Sequence, residues 1–310
     1  MAQLPDLKGK RILVTGVTGM VAAPVAKALA ADNTVFGAAR LKDPAAREAL
    51  EAQGVTPTPM DLMKGDFSNV PEGLDYVFHF AVTRTGNYEK DLAANAEASA
   101  DLMELTKGVE TFFHCSSTAV YEYAGHEVLR EDAPLGDSHR PMGLPTYSIS
   151  KIATEVLVRH TARRLQIPTV IARLNVPYGD TYGWPLFHVM MMERNVPIPV
   201  HPDQPSQFAP IHSDDIVASL PYFLAVADPS TPVINWGGEE LVSIEDWCAQ
   251  LGEWTGLTPT FDVTEQTLGS VIPDLTKQHD IGFKASVGWK DGFRRMISTS
   301  RPDIYKGPAA

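Results

Sequence analysis

Tyr147 and Lys151 form the most informative pair in the sequence, because they lie four positions apart in a segment that predicts a helix, 147–165. This spacing places two side chains on the same face of a helix. A free phenol gives up its proton only near roughly pH 10, and a neighbouring ammonium group favours the charged phenolate. The pair is therefore a candidate for proton transfer with a substrate. The same spacing also occurs in ordinary exposed pairs on helices.

Hydroxyl side chains follow a predicted buried strand, 111–116. Ser116, Ser117 and Thr118 come directly at its end. Doubly wound α/β sheets bind their ligands at the carboxyl ends of strands. We therefore expect these hydroxyl groups to face a ligand site.

A glycine-containing turn joins the first predicted strand, 11–15, to a helix. It carries Gly16, Thr18, Gly19 and Met20. Gly16 permits a tight turn, Gly19 lets the backbone approach a pyrophosphate, and the helix N-terminus offers free N–H groups to the anion. This strand–turn–helix context predicts dinucleotide binding, with an ordinary turn as the alternative.

The end of the second predicted strand indicates which dinucleotide is bound. An NAD site commonly has an acid there, whereas this chain has Ala39 and Arg40. Arg40 could pair with the 2′-phosphate of NADP, with a solvated surface arginine as the alternative. NADP is therefore the predicted cofactor, and NAD remains open. Asp61 and Leu62, after the third strand, are candidates for the adenine edge, although an Asp here could equally cap a turn.

Short apolar runs alternate with helical stretches through the first half of the chain, as in a parallel sheet with crossover helices. The predicted strands are 11–15, 34–38, 55–59, 76–80, 111–116, 169–173 and 232–236, and the longest predicted helices are 89–107 and 147–165. The prediction is an α/β fold, a Rossmann-type doubly wound parallel sheet with a smaller, discontinuous substrate-binding lobe. The NAD(P)-binding domain would span 1–175 and about 210–237, and the lobe about 176–209 and 238–310.

The order of these motifs resembles the extended short-chain dehydrogenase/reductases, the NAD-dependent epimerase/dehydratase family. The resemblance implies that Ser117 orients the substrate oxygen, Tyr147 exchanges its proton, and Lys151 tunes Tyr147 and holds the ribose. The implied cofactor-binding residues are Gly16, Thr18, Gly19, Met20, Arg40, Asp61, Leu62, Phe80, Ala81, Val82, Asn95, Ser116, Tyr147, Lys151, Asn175 and Val176.

The chain departs from this family where its nucleotide-sugar enzymes act on their substrates. Dehydratases of the family carry an acidic pair where this chain has Thr118 and Ala119, and epimerases commonly use a cation where Phe208 and its neighbours stand. The segment 176–210 holds a single cation, Arg194. A diphosphate would need cationic partners, so we expect a small, largely uncharged substrate. The candidate substrate-binding residues are Thr83, Thr118, Pro177, Tyr178, Trp184, Phe187, Met191 and Phe208.

The leading functional prediction is an NADP-preferring dehydrogenase/reductase that interconverts a carbonyl and an alcohol. The alternative is a sugar or nucleotide-sugar epimerase that keeps its cofactor bound, because the same three catalytic residues serve both reactions. A non-catalytic dinucleotide-sensing module is a third interpretation.

Composition narrows the partners further. A net charge of −12 argues against nucleic-acid and membrane-surface partners. The two cysteines, Cys115 and Cys248, have no metal-ligand spacing, and no metal is expected. No signal peptide is recognisable in 1–10, and no apolar stretch reaches the roughly 20 residues of a membrane span, so we expect a cytoplasmic protein. Relatives often dimerise through the helices here predicted at 89–107 and 147–165, which predicts a homodimer.

Overall fold

A seven-stranded parallel sheet forms the centre of the structure, a computed structural model that describes residues 3–308. Its strands are β1 (Arg11–Thr15), β2 (Thr34–Ala39), β3 (Val55–Pro59), β4 (Tyr76–His79), β5 (Thr111–Ser117), β6 (Thr169–Leu174) and β7 (Val233–Trp236). They lie in the order β3-β2-β1-β4-β5-β6-β7, and every neighbouring pair is parallel. The predicted Rossmann-type sheet is confirmed. Its topology reverses at β1, so the crevice between β1 and β4 is where such sheets bind ligands.

Helices cover both faces of the sheet, which explains why its central strands are continuous apolar runs. The helices are α1 (Ala22–Ala30), α2 (Pro44–Glu51), α3 (Tyr88–Leu92), α4 (Ala98–Leu105), α5 (Tyr147–Leu165), α6 (Trp184–Glu193), α7 (Ser213–Leu224), α8 (Ile244–Thr255), α9 (Thr276–Asp280) and α10 (Trp289–Ser300). Residues of α1 and α7 bury their apolar faces on one side of the sheet, and residues of α4 and α5 on the other. The carboxyl-end loops are thereby fixed on a rigid support.

The predicted helix 89–107 is divided in the structure. A single π-helical turn, Ala93–Glu97, separates α3 from α4. Such turns insert one extra residue into a helix and are frequent at functional sites. The side chain of Asn95, in this turn, is hydrogen-bonded to the loop that follows β4.

A smaller lobe stands beside the carboxyl edge of the sheet and has its own apolar core, which includes Val189, Trp247 and Phe293. Two short strand pairs join its two chain segments: Ile198–Val200 with Phe261–Val263, and Gln207–Phe208 with Val242–Ser243. This pairing explains how a discontinuous lobe holds together. Other short pairs join Pro177–Gly179 to Ile211–His212 and Tyr182–Gly183, and Val128–Leu129 to Ile272–Pro273.

Across residues 3–308, no helix combines the length and apolar character needed to cross a bilayer.

Candidate active site

A cavity of about 500 Å³ lies at the carboxyl edge of the sheet, between the sheet and the lobe. The turn after β1 forms one end of it, and lobe side chains form the other. Its described lining includes Gly16, Gly19, Met20, Val21, Phe80, Val82, Arg84, Ser116, Ser117, Thr118, His139, Met142, Leu144, Tyr147, Lys151, Asn175, Val176, Pro177, Trp184, Phe208, Leu268 and Val271.

The turn after β1 has the geometry that a pyrophosphate requires. Gly16 has φ +72°, and a Cβ there would lie 2.8 Å from the Cα of Ala81, so only glycine fits between the turn and the end of β4. The N–H of Gly19 donates to the carbonyl of Gly16 at 2.8 Å. Helix α1 begins at Ala22 directly after the turn and has no side-chain cap, so its positive N-terminal end faces the space where an anion would bind. The turn therefore fits a dinucleotide.

The three predicted catalytic side chains meet at this cavity. Tyr147 opens α5 and Lys151 lies one turn later on the same face, where it is almost fully buried. The Lys151 Nζ donates to the carbonyl oxygen of Cys115 at 2.7 Å, which fixes the ammonium beside the end of β5. Ser117 is the last residue of β5, and its hydroxyl accepts from the N–H of Ala119 at 3.2 Å. A phenol, a hydroxyl and an ammonium thus surround one space.

A buried ion pair holds α5 against the sheet beneath this set. Glu155, one turn beyond Lys151, accepts from Arg173 of β6 at 2.8 Å and from the hydroxyl of Ser116 at 2.6 Å. Both charged side chains are at most 3% exposed. The hydroxyl of Ser116, a predicted cofactor-binding residue, is therefore engaged with Glu155.

His139 was not predicted, yet its ring packs 5.3 Å from the ring of Tyr147, measured between centroids. It belongs to the segment 137–144, whose backbone is bonded to the start of α5: the N–H of Tyr147 donates to Leu144, and the N–H of His139 donates to the hydroxyl of Ser148. Burial lowers the pKa of His139 to about 4, opposed by Asp137 and assisted by Arg84. A neutral imidazole therefore lines the cavity at pH 7.

Arg84 is a second cavity residue that the sequence analysis did not identify. It follows β4 and lines the cavity, with its guanidinium carbon 5.7 Å from the centre of the Tyr147 ring. Its neighbour Thr83, a predicted substrate residue, is absent from the described lining, and its backbone N–H is bonded to Asn95 at 2.7 Å. Asn95, predicted to contact the cofactor, uses its amide to hold this loop.

The residues predicted for the adenine end lie outside the cavity lining described above, after β2 and β3. Arg40 is exposed and has neither an ion pair nor a side-chain hydrogen bond within the described chain. Asp61 accepts from the N–H of Met63 at 3.1 Å and caps the turn Leu62–Lys64, in which Leu62 is buried. Thr18 is exposed on the glycine turn.

The model of one protein family matches residues 12–224, more than half of the chain. Its description is NAD dependent epimerase/dehydratase family. The chain belongs to this family. The predicted resemblance is confirmed, and the chain is an enzyme-family member with the extended short-chain dehydrogenase/reductase architecture.

Relatives of this family member include nucleotide-sugar enzymes. A trifunctional UDP-glucose 4,6-dehydratase/UDP-4-keto-6-deoxy-D-glucose 3,5-epimerase/UDP-4-keto-L-rhamnose-reductase from Arabidopsis thaliana is 23% identical, over 96% of this chain and 48% of the relative. The chain thus spans about half the length of that protein. An uncharacterized UDP-glucose epimerase from Bacillus subtilis is 22% identical, over 96% of this chain and 99% of its own length.

Solved structures of the same fold come from epimerases. UDP-glucuronic acid 4-epimerase from Bacillus cereus, in complex with UDP-glucuronic acid and NAD, has a TM-score of 0.78 at 21% identity, covering 93% of this chain and 98% of that one. UDP-glucose 4-epimerase from Thermotoga maritima, with UDP-glucose, has a TM-score of 0.79 at 20% identity, covering 95% and 99%.

The lobe side of this epimerase/dehydratase family member matches the prediction in part. Thr118, Pro177, Trp184 and Phe208 line the cavity, as do Leu268 and Val271, which no motif had indicated. Besides Thr83, three predicted substrate residues lie outside this lining: Tyr178 is fully buried against Phe293, Phe187 is 54% exposed, and Met191 packs against the lobe core. Alternation along the short strand Pro177–Gly179 turns Tyr178 away from its cavity-lining neighbour Pro177.

A second cavity of about 280 Å³ adjoins the first and shares Leu268 and Val271 with it. Its lining includes three carboxylate residues, Glu122, Asp137 and Glu265. The two cavities thus differ in charge, since no Asp or Glu lines the first one within 3–308. In that same range, no three His, Cys, Asp or Glu residues are grouped to hold a metal ion.

Proposed function

We propose that this chain is an NAD-dependent sugar or nucleotide-sugar epimerase that oxidises a secondary alcohol carbon and reduces it again on the other face. The observation that carries the proposal is the meeting of Ser117, Tyr147 and Lys151 at one cavity with the dinucleotide turn at its end. The comparisons favour this alternative over the reductase that the sequence first indicated, because the relatives are nucleotide-sugar enzymes and neighbouring structures hold NAD.

Each side chain has a defined part in this reaction. Tyr147 takes the hydroxyl proton of the substrate and later returns it to the reacting oxygen, which Ser117 orients by a hydrogen bond. Lys151 favours the phenolate by its charge and binds the ribose of the cofactor. When bound, the nicotinamide supplies hydride acceptance and return. Gly16, Gly19 and the start of α1 hold the pyrophosphate.

A dehydratase reaction needs further groups, because elimination of water requires an acid and a base beside the sugar. Thr118 and Ala119 follow Ser117, and the described lining of this cavity contains no carboxylate. We therefore do not extend the proposal to the dehydratase activity named for the Arabidopsis relative.

Net oxidation or reduction is the second candidate. The cavity wall contributed by the lobe is largely apolar, with Trp184, Phe208 and Val271. A diphosphate in such surroundings would lose its hydration without full compensation. This feature favours a compact substrate, with NADP as cosubstrate if Arg40 binds its 2′-phosphate.

The decisive experiment incubates the full-length protein with UDP-glucose or UDP-glucuronate and substoichiometric NAD, followed by chromatography of the sugars and absorbance at 340 nm. An epimerase forms the second epimer beyond the amount of NAD added, without accumulation of NADH. Stoichiometric NADH with a ketone product would instead establish the dehydrogenase. Tyr147→Phe serves as the inactive control.

A further inference from the structure

Hydrogen bonds from two side chains hold the backbone of the loop 82–86 on both sides of Arg84. On one side, the amide of Asn95 accepts from the N–H of Thr83 at 2.7 Å and donates to its carbonyl at 2.8 Å. On the other side, the Asp91 carboxylate accepts from the N–H groups of Thr85 and Gly86 at 2.8–3.0 Å. The backbone at Arg84 is thus held by two side chains that are almost fully buried.

The same buried carboxylate also reaches the catalytic helix. The hydroxyl of Thr146 donates to Asp91 at 2.6 Å, and Thr146 immediately precedes Tyr147. Burial opposes ionisation of Asp91, but the hydrogen bonds from Thr146, Thr85 and Gly86 lower its pKa overall, so it is charged at pH 7. One carboxylate therefore links the backbone of the loop that carries Arg84 to the residue before Tyr147.

The guanidinium of Arg84, in contrast to its backbone, has no protein partner. It makes no side-chain hydrogen bond and no ion pair within 4.0 Å in the described part of the chain. Its closest specific contact is the face of the Tyr147 ring, at 5.7 Å. Arg84 is an exposed residue, and a cation–π contact at this distance leaves its N–H groups available to a planar anion.

The cavity around Arg84 has the charge of an anion site. The chain contains 38 Asp and Glu residues against 26 Lys and Arg, yet no carboxylate lines this cavity within 3–308. The other cation in the lining is Lys151, whose ammonium is already bonded to Cys115. The turn at Gly16–Gly19 provides separately for the cofactor pyrophosphate.

We propose that Arg84 binds a carboxylate that the substrate carries beside its reacting carbon, so that the substrate class is a sugar acid, free or nucleotide-linked. Tyr147 exchanges a proton with the reacting oxygen, and a carboxylate on the adjoining carbon of a sugar ring lies within a few bonds of that oxygen. The guanidinium above the Tyr147 ring is then within reach for paired N–H···O bonds. The proton exchange at Tyr147 rests on the proposed epimerase function, whereas the binding of a carboxylate by Arg84 does not.

Two ligand pairs that differ only in the carboxylate test this recognition: UDP-glucuronate against UDP-glucose, and glucuronate against glucose. Calorimetry on the NAD-saturated full-length protein should show that the acid binds about 10–100-fold more tightly than its neutral partner in at least one pair. Arg84→Gln should abolish that preference, and Arg84→Lys should retain part of it. Arg163→Gln, an exposed change on α5, should leave it intact.

Equal affinity of acid and neutral ligand in both pairs, or no binding of either acid, overturns the inference. So does an Arg84→Gln protein that folds, keeps the preference and loses NAD affinity without substrate, since Arg84 would then bind a cofactor phosphate. If the wild type prefers the acids but forms no epimer, the epimerase proposal fails while the recognition by Arg84 stands. Thermal melting of each variant confirms that it is folded.

Discussion

Individual side chains in the site are held in position by contacts with the rest of the protein. Lys151 is bonded to the carbonyl of Cys115, and Ser117 to the N–H of Ala119. Tyr147 is fixed through its backbone and by the ring of His139. Groups positioned in advance lose little freedom when a substrate binds, which is the condition for efficient proton transfer.

Tyr147→Phe should lower turnover by about 10²–10⁴-fold, because the ring remains but the proton carrier is lost. The affinity for NAD should change little, since the pyrophosphate is held by the glycine turn. Turnover and NAD titration of the variant measure the two effects. Tyr222→Phe, at a ring that packs against Phe283 outside the described cavity lining, is the matched control. A Tyr147→Phe enzyme with most of its activity would refute the assignment.

If the second candidate function is right and Arg40 binds a 2′-phosphate, Arg40→Ala should weaken NADPH binding more than NADH binding, because only NADPH carries the extra phosphate. Fluorescence titration of both cofactors against both proteins measures the difference. Lys42→Ala removes a neighbouring exposed cation and should affect the two cofactors equally. Equal losses for Arg40→Ala, or a wild type that prefers NADH, would show that Arg40 faces solvent.

The catalytic and dinucleotide motifs could be recognised from sequence because their function depends on short, fixed spacings. Arg84 and His139 could not, because both lie in loops that have neither a period nor a motif. Their places depend on hydrogen bonds to distant residues, such as Asn95 for the loop of Arg84. Only the folded chain brings such partners together.

Among the elements, helix α5 organises the site. Tyr147, Lys151 and Glu155 follow one another at four-residue intervals, so one face of the helix carries the phenol, the ammonium and the buried carboxylate. The first two reach the cavity, and the third anchors the helix to β6 through Arg173.

Removal of one member of the Glu155–Arg173 ion pair should lower the free energy of unfolding. Glu155→Leu leaves the Arg173 guanidinium buried without its charge partner, which typically costs about 3–5 kcal/mol of the free energy of unfolding. The double change Glu155→Leu with Arg173→Met should recover much of this loss, because no unpaired charge remains. Urea unfolding of the three proteins gives the values. A double variant as unstable as the single one would show that the charge pair is not the cause.

The boundaries of regular elements agree with the sequence prediction where periodicity dominates. Strand 55–59 and helix 147–165 have the predicted limits. The helix predicted at 89–107 was wrong in its continuity, because the tertiary bonds of Asn95 favour a π turn that no local propensity encodes.

At the scale of the whole molecule, burial holds His79, His114 and His188 in the neutral form. Burial lowers the pKa of His79 and of His188 to about 3, and that of His114 well below its ordinary value. All three are at most 1% exposed. In the unfolded chain the same imidazoles titrate near roughly pH 6.5.

The sign of the pH dependence follows from these shifts. Below about pH 6.5 these histidines bind protons in the unfolded chain but not in the folded chain. The free energy of unfolding therefore decreases as the pH falls from about 6.5 toward the pKa values of the folded state. Each histidine should reduce the free energy of unfolding by about 1.4 kcal/mol per pH unit. Urea unfolding between pH 7.5 and pH 4.8 measures the slope.

Replacement of His114 tests whether the buried histidines are neutral in the folded protein. Neither ring nitrogen of His114 has a hydrogen-bond partner in the described structure, so His114→Leu should fold. The change in the free energy of unfolding per pH unit should then decrease by the contribution of one histidine. His160→Gln, on the exposed side of α5, should leave the slope unchanged. An unaltered slope in His114→Leu would refute the neutral buried imidazole.

At the same scale, we propose the division into a dinucleotide domain, 1–175 with about 210–237, and a lobe of about 176–209 and 238–310. The homodimer remains a prediction, which sedimentation of the purified protein would test.

The crevice between β1 and β4 lets separate stretches of the chain serve the cofactor and the substrate. The proposed pyrophosphate turn follows β1, whereas the proposed substrate-binding side chains follow β4, β5 and β6. Insertions in surface loops add little closure entropy, and loops diversify more freely than the elements they join. New substrate ranges can therefore evolve by changes in the loop 137–144, which follows β5, while the dinucleotide turn stays constant, and this makes the chain a scaffold for directed evolution of single loops.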